Sequence, residues 1–250
     1  MCALFDWQCS AFAGDFLSTE KPHKQLLSGG IICGFFLAGG EILQQIGLLY
    51  TTAGKAGFLT ALYVIMIPVI GVLFKKKSTT KIWAASLLSV AGAYLLCSDG
   101  TLKSFGNAGD ILMLICALFF AFQFISLAKF APQSDALQLA AVQFFTVAIL
   151  SGIAALIGGE DLTCRNITGC WLPLFYCGVI AIGFACTIQV AVQKCVHPAT
   201  TAIILSTASV FAVIWGWGLL HESYSIVNLT GCGLIFAAVV LVQLPDRTEK

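Results

Sequence analysis

The chain has 250 residues, 59% of them apolar and only 10% charged, with a net charge of +1 and a mean hydropathy of +0.94. Soluble domains run at roughly 45–50% apolar and about 25% charged residues. A soluble fold could not cover this much apolar surface, so the composition points to an all-α integral membrane protein. A pI of about 7.5 and no basic block longer than Lys75-Lys76-Lys77 argue against nucleic acid as a partner.

Residues 1–28 open with "MCALFDWQCSAFAGDFL", an apolar stretch that Asp6 and Asp15 interrupt. It lacks the basic start of a signal peptide and reads as an interfacial helix or the remnant of a longer span. A membrane-crossing helix needs about 20 mainly apolar residues. Eight candidates follow, at 29–50, 56–74, 82–98, 109–130, 135–157, 171–193, 199–220 and 225–244, and a short polar tail closes the chain at 245–250. The expected architecture is therefore a multi-pass helical bundle.

Alternating the eight spans puts Lys21, Lys24, Lys75, Lys76, Lys77, Lys81, Lys129, Lys194, Arg247 and Lys250 on one side, ten of the 13 cations. Lys55, Lys103 and Arg165 fall on the other. The positive-inside rule makes the first side cytoplasmic, with both chain ends there, in the plasma membrane.

The first three spans and the last three keep nearly equal spacings. A shift of 145 positions lays Gln44 on Gln189 and Gly71 on Gly216. Span order gives the two triplets opposite orientations, which is an inverted repeat. Secondary transporters are built this way, with a substrate site near the midplane.

Polar residues inside the spans are the candidate site. Glu41 stands mid-span, where a charged carboxylate costs about 2.5–3.5 kcal/mol on insertion scales. Taking up a proton or facing a polar cavity relieves that cost. Glu41, Gln44 and Gln45 share a helix face, and Gly30, Gly34 and Ala38 continue it at four-residue spacing. Small residues there permit close helix packing. One reading is a site wall with a protonatable group; the plainer one is a neutral Glu bonded to a neighbouring helix. Gln189 and Gln193 share a face with Cys186, and a carboxamide would be stranded in lipid, so that face should look inward. It lines a cavity or glues helices together. Thr60 with Tyr63, and Ser206 with Ser209, form two further pairs, although such hydroxyls commonly bond back to their own helix. Gln123 and Gln143 read similarly. Pro68 should kink its helix.

Trp83, Trp171 and Trp215 near span ends fit an aromatic belt. His197-Pro198 and His221-Glu222 read as solvated loop edges. "NIT" at 166 and "NLT" at 228 match the glycosylation pattern, which is common by chance. Six of the 11 cysteines (Cys33, Cys97, Cys116, Cys177, Cys186 and Cys232) lie in apolar runs, where a thiol acts as a small hydrophobe. Cys164 and Cys170 share a loop and could pair on an oxidising side. No spacing suggests a metal, no cofactor motif appears, and no catalytic constellation such as GxSxG, HExxH or a P-loop is present. The chain does not read as an enzyme.

The segment "LQQIGLLYTTAGKAGFLTALYVIMIPVIGVLFKKKSTTKIWAASLLSVAGAYLL" at 43–96 resembles the EamA branch of the drug/metabolite transporter superfamily. "GDILMLICALFFAFQFI" at 109–125 and "LQLAAVQFFTVAIL" at 137–150 extend the likeness, which covers roughly 26–244. The resemblance implies two inverted five-helix halves. Against those ten helices this chain lacks the first and most of the second. Residues 29–98 then hold the remainder of the first repeat and 109–244 the whole second repeat. The family's usual "LEPVFA" is replaced by "STASVFA" at 206–212. The implied function is alternating-access transport of a small organic solute across the lipid bilayer, with exchange for protons as one option. The spans of Glu41, Thr60, Gln189 and Ser206 would line the cavity. The alternative is a non-transporting scaffold or an incomplete fragment. Whether a second copy or a completing partner chain joins it stays open.

Overall fold

A computed structural model describes residues 24–51, 53–74, 79–96, 107–158, 175, 176, 178, 183, 185–208, 210, 211, 214 and 225–244. The described residues are helical and contain no strand. Among the described residues the helices in chain order are α1 (Lys24–Leu48), α2 (Ala53–Ala61), α3 (Tyr63–Leu73), α4 (Thr80–Leu96), α5 (Ala108–Phe130), α6 (Ala136–Gly158), α7 (Thr187–Val192), α8 (Pro198–Leu205) and α9 (Ile226–Gln243), with a 3-10 turn at Ala131–Gln133 after α5. Among the described residues, four helices are long and apolar enough to cross a membrane: Lys24–Leu48, Lys55–Leu73, Ala108–Gln133 and Ala136–Gly158. Thr80–Leu96 and Ile226–Val242 are shorter and equally apolar in character.

Hydropathy located these helices because a backbone in lipid must satisfy its own hydrogen bonds. Their ends respond to polar residues that hydropathy discounts. α1 begins at Lys24, five residues before the expected start, and carries Gln25 and Ser28 in its first turns. The second span is one helix in all but a single tightened turn. Leu62 N–H donates to Leu59 O at 3.3 Å, three residues back, and separates α2 from α3. The irregularity thus falls six residues before Pro68, which is buried within α3. α8 starts on Pro198 with His197 as its N-cap, where the imidazole Nδ1 accepts from Ala199 N–H at 3.3 Å. His197 is half-buried and caps a helix, rather than standing solvated at a loop edge. Residues 183, 185 and 186 precede α7 in a wider, π-type winding.

The chain divides into two compact units. The first comprises residues 1–35 and 126–195. Its core is Leu26, Cys33, Leu127, Ala131, Leu139, Ala140 and Val190. Gly30 and Gly34 of α1 press on α6. A methyl added at Gly30 would stand 2.5 Å from Val142, and one at Gly34 would stand 2.6 Å from Thr146 and 2.7 Å from the Gln143 carbonyl. The four-residue spacing of small residues therefore does what it predicts, bringing two helix backbones together.

The second unit comprises residues 36–125 and 196–250. Its core gathers Val64, Ile67, Ile70, Ile82, Ala85, Ala121, Phe124, Ala202, Ile203 and Ala238. α4 and α9 run antiparallel and cross in near backbone contact. A methyl at Gly92 would lie 2.7 Å from the Gly231 carbonyl, and one at Gly231 would lie 2.6 Å from the Gly92 carbonyl. Polar ties hold both ends of the pair. Lys81 Nζ donates to the Leu244 carbonyl, and Asn228 Nδ2 donates to the Leu96 carbonyl at 2.6 Å.

Candidate functional site

In the second unit, α1, α2–α3 and α5 bring most of the sequence-derived candidates to one depth. α1 runs against α5, with Phe36 stacked on Phe122 and edge-on to Phe119. Gly40 sits beneath the Phe120 ring, 2.7 Å from it if given a methyl. The same ring meets Tyr63 edge-on at 6.4 Å, and Tyr63 stacks on Phe124 at 5.4 Å. Glu41, the residue after Gly40, is therefore level with Tyr63.

Glu41 and Gln45 are exposed and Gln44 is half-buried. Among the described residues no hydrogen bond or ion pair engages Glu41. Its segment is polar chemistry left unspent. Thr60 is half-buried, and its hydroxyl donates to the Met113 sulfur at 3.7 Å. Ser206 is buried, 3.0 Å from Ser89 Oγ on α4, and donates to the carbonyl of Ile203 at 2.6 Å. Its hydrogen-bonding capacity is used within the protein. Ser209 lies outside the described residues.

The first unit holds the carboxamides of Gln143, Gln189 and Gln193. Gln189 is half-buried, while Gln193 and Gln143 are buried at 2% and 1% exposure. Among the described residues, neither Oε1 nor Nε2 of Gln193 has a protein partner, and Gln143 Oε1 has none. An amide buried unpaired costs about 1–3 kcal/mol, so these side chains carry hydrogen-bonding capacity that the described protein groups leave unused.

Sequence reasoning missed the strongest electrostatic feature. Lys55 and Asp110, both about 95% buried, form an ion pair at 2.6 Å. The Asp110 carboxylate also accepts from Thr51 Oγ1 at 3.1 Å and from Asn107 N–H at 3.3 Å. Lys55 read as a loop cation and Asp110 as the edge of a span. The one signal was their shared setting, each at the start of an apolar run.

Asn228 corrects another reading. It is 4% exposed, with its amide on Leu96 and its Oδ1 accepting from Ser225 N–H at 3.0 Å in a capping box. The "NLT" triplet at 228 is a helix start, and a glycan has no access to that nitrogen. The other triplet at 166, the Cys164–Cys170 pairing, Trp171 and Trp215 lie outside the described residues; Trp83 is half-buried in the first turn of α4. Cys33, Cys116, Cys186, Cys195 and Cys232 are free thiols.

Several apolar membrane-length helices with polar groups held inside them fit a multi-span membrane protein. Residues 107–244 match the EamA-like transporter family, and the chain belongs to that family. An uncharacterized transporter of Archaeoglobus fulgidus is 33% identical over 206 residues, 82% of this chain. The chain spans 65% of that relative's length. The uncharacterized inner membrane transporter YedA of Escherichia coli K12 is 27% identical over 225 residues, covering 89% of this chain and 72% of its own. A protein of known crystal structure shares the fold, with a TM-score of 0.68 at 15% identity over 96% of this chain and 93% of its own.

Proposed function

We propose that the chain carries a small organic solute across the membrane by alternating access, with proton coupling through Glu41. The observation that carries this reading is the state of Glu41. It is a carboxyl seven residues from the end of α1, exposed and without an ion-pair partner among the described residues, and the Phe120 ring that packs on the preceding Gly40 also meets Tyr63. A group that must take up and release a proton needs access to water in one state and shelter in another. Gln44, Gln45, Thr60 and Tyr63 supply hydrogen bonds around it. Gln189 and Gln193, both in the first unit, are separate candidates for hydrogen-bonding a solute. In this reading residues 29–98 and 109–244 are the two inverted repeats, eight spans in all. The cation-rich loops and both chain ends face the cytoplasm from the plasma membrane.

The test is flux of labelled small metabolites in reconstituted vesicles at several pH gradients. Glu41→Gln keeps the size and a hydrogen-bonding head but carries no exchangeable charge. It should remove the pH dependence of uptake and leave a folded, inserted protein. Unchanged pH dependence would take Glu41 out of the coupling step.

A second reading is a non-transporting scaffold, or a carrier completed by a partner chain or a second copy. It draws on the shared length of 65% with the archaeal relative. Flux by the 250-residue chain reconstituted alone separates the two readings.

A further inference from the structure

The Lys55–Asp110 pair caps a second layer. Directly beneath it, Ala56, Leu59 and Met113 are 3%, 2% and 0% exposed, with Phe58 and Leu62 packed around them. The end of α1 closes the third side. Gly47 lies against Met113, and a methyl on Gly109 would stand 2.9 Å from the Tyr50 backbone and 3.0 Å from the Gly47 carbonyl. Thr51, in the connection between α1 and α2, reaches Asp110. Three chain segments thus converge at one end of the unit in two layers, charged above and apolar below. Thr60 touches the underside of the plug through Met113.

An ion pair is a poor choice if the only task is to hold helices together. A buried pair roughly breaks even with well-packed apolar residues of the same size. Lys55 is also placed badly for a permanent brace. It is the third residue of α2, where the positive end of the helix disfavours a cation. Asp110, in the first turn of α5, is well placed by the same rule. What a charged pair offers is a second state. When the helix ends part, water solvates both charges, so the open and closed arrangements come close in free energy. An apolar contact has no such alternative.

We propose that Lys55 and Asp110 are the latch of a gate. They close this end of the unit above the level of Thr60 and Tyr63, and they separate when the end opens. The proposal rests on the transporter reading and adds to it the place where one face of the protein is shut.

The test reads access to Thr60→Cys in a chain whose 11 native cysteines are replaced. A charged, membrane-impermeant methanethiosulfonate is added to oriented proteoliposomes on the side of the pair. With Lys55 and Asp110 present, modification should be slow. Lys55→Gln/Asp110→Asn keeps the hydrogen-bonding heads, removes the charge attraction and leaves no lone buried ion. It should speed modification at least about tenfold while the protein stays monodisperse on gel filtration. Asp110→Asn alone should do the same, and Lys55→Asp/Asp110→Lys should restore slow modification. Equal rates in the native pair and in Lys55→Gln/Asp110→Asn overturn the latch. Modification needs no solute, so the two readings fail separately. Flux with unchanged modification removes the latch only; faster modification without flux keeps the gate and removes transport.

Discussion

Two carboxyls in the same unit have been given opposite surroundings. Asp110 is buried at a helix start, with a lysine at 2.6 Å, a hydroxyl and a backbone N–H all directed at it. Glu41 stands mid-helix, exposed and unpartnered among the described residues. A fully coordinated carboxylate is fixed in one charge state by its neighbours. A carboxyl with no fixed partner is free to change state with its surroundings. The difference separates a group that shapes the molecule from one suited to chemistry.

The largest expected effect comes from breaking the first environment. Asp110→Ala removes the carboxylate paired with buried Lys55 and should lower stability by about 3–5 kcal/mol, read as a fall in the thermal midpoint in detergent. Removing both charges sharpens the point. Lys55→Met/Asp110→Leu should recover most of that loss, to within about 1.5 kcal/mol of the native chain, because no charge is then left unpaired. Ser206→Ala tests a neutral polar tie by the same measurement. It should cost about 1 kcal/mol, since the hydroxyl bridges α8 to Ser89 but carries no charge. Smallest is Glu41→Gln, within about 0.5 kcal/mol of the native chain. A large loss there would mean that Glu41 holds the fold after all, and the contrast between the two acids would collapse.

The helices were legible in the sequence because lipid imposes one rule on every span, and Gly30-xxx-Gly34 announced its close packing by spacing alone. Glu41 and Tyr63 were legible as polar residues in apolar runs. The partnerships were not. Lys55 and Asp110 are 55 residues apart, and nothing local says that two loop-edge charges will meet and be buried. Asn228 and His197 show the same limit at shorter range. Each has a side chain suited to several tasks, and only the helix that follows decides on capping. Gln193 is buried, as an inward-facing carboxamide would be, yet its lack of a hydrogen-bond partner among the described residues follows from packing, which no periodicity encodes.

The crossing of Gly92 with Gly231 also bears on how the chain is made. The two residues are 139 positions apart (231 minus 92). At roughly 5–20 residues per second, synthesis of that interval takes on the order of ten seconds. For that whole time α4 is in the membrane with the surface that will receive α9 still open. The insertion machinery, or the lipid itself, must keep that surface unoccupied until α9 arrives. α9 thus completes the packing of a helix inserted much earlier. A side chain added at Gly92 would act at that late moment, as a defect of assembly after an apparently normal insertion.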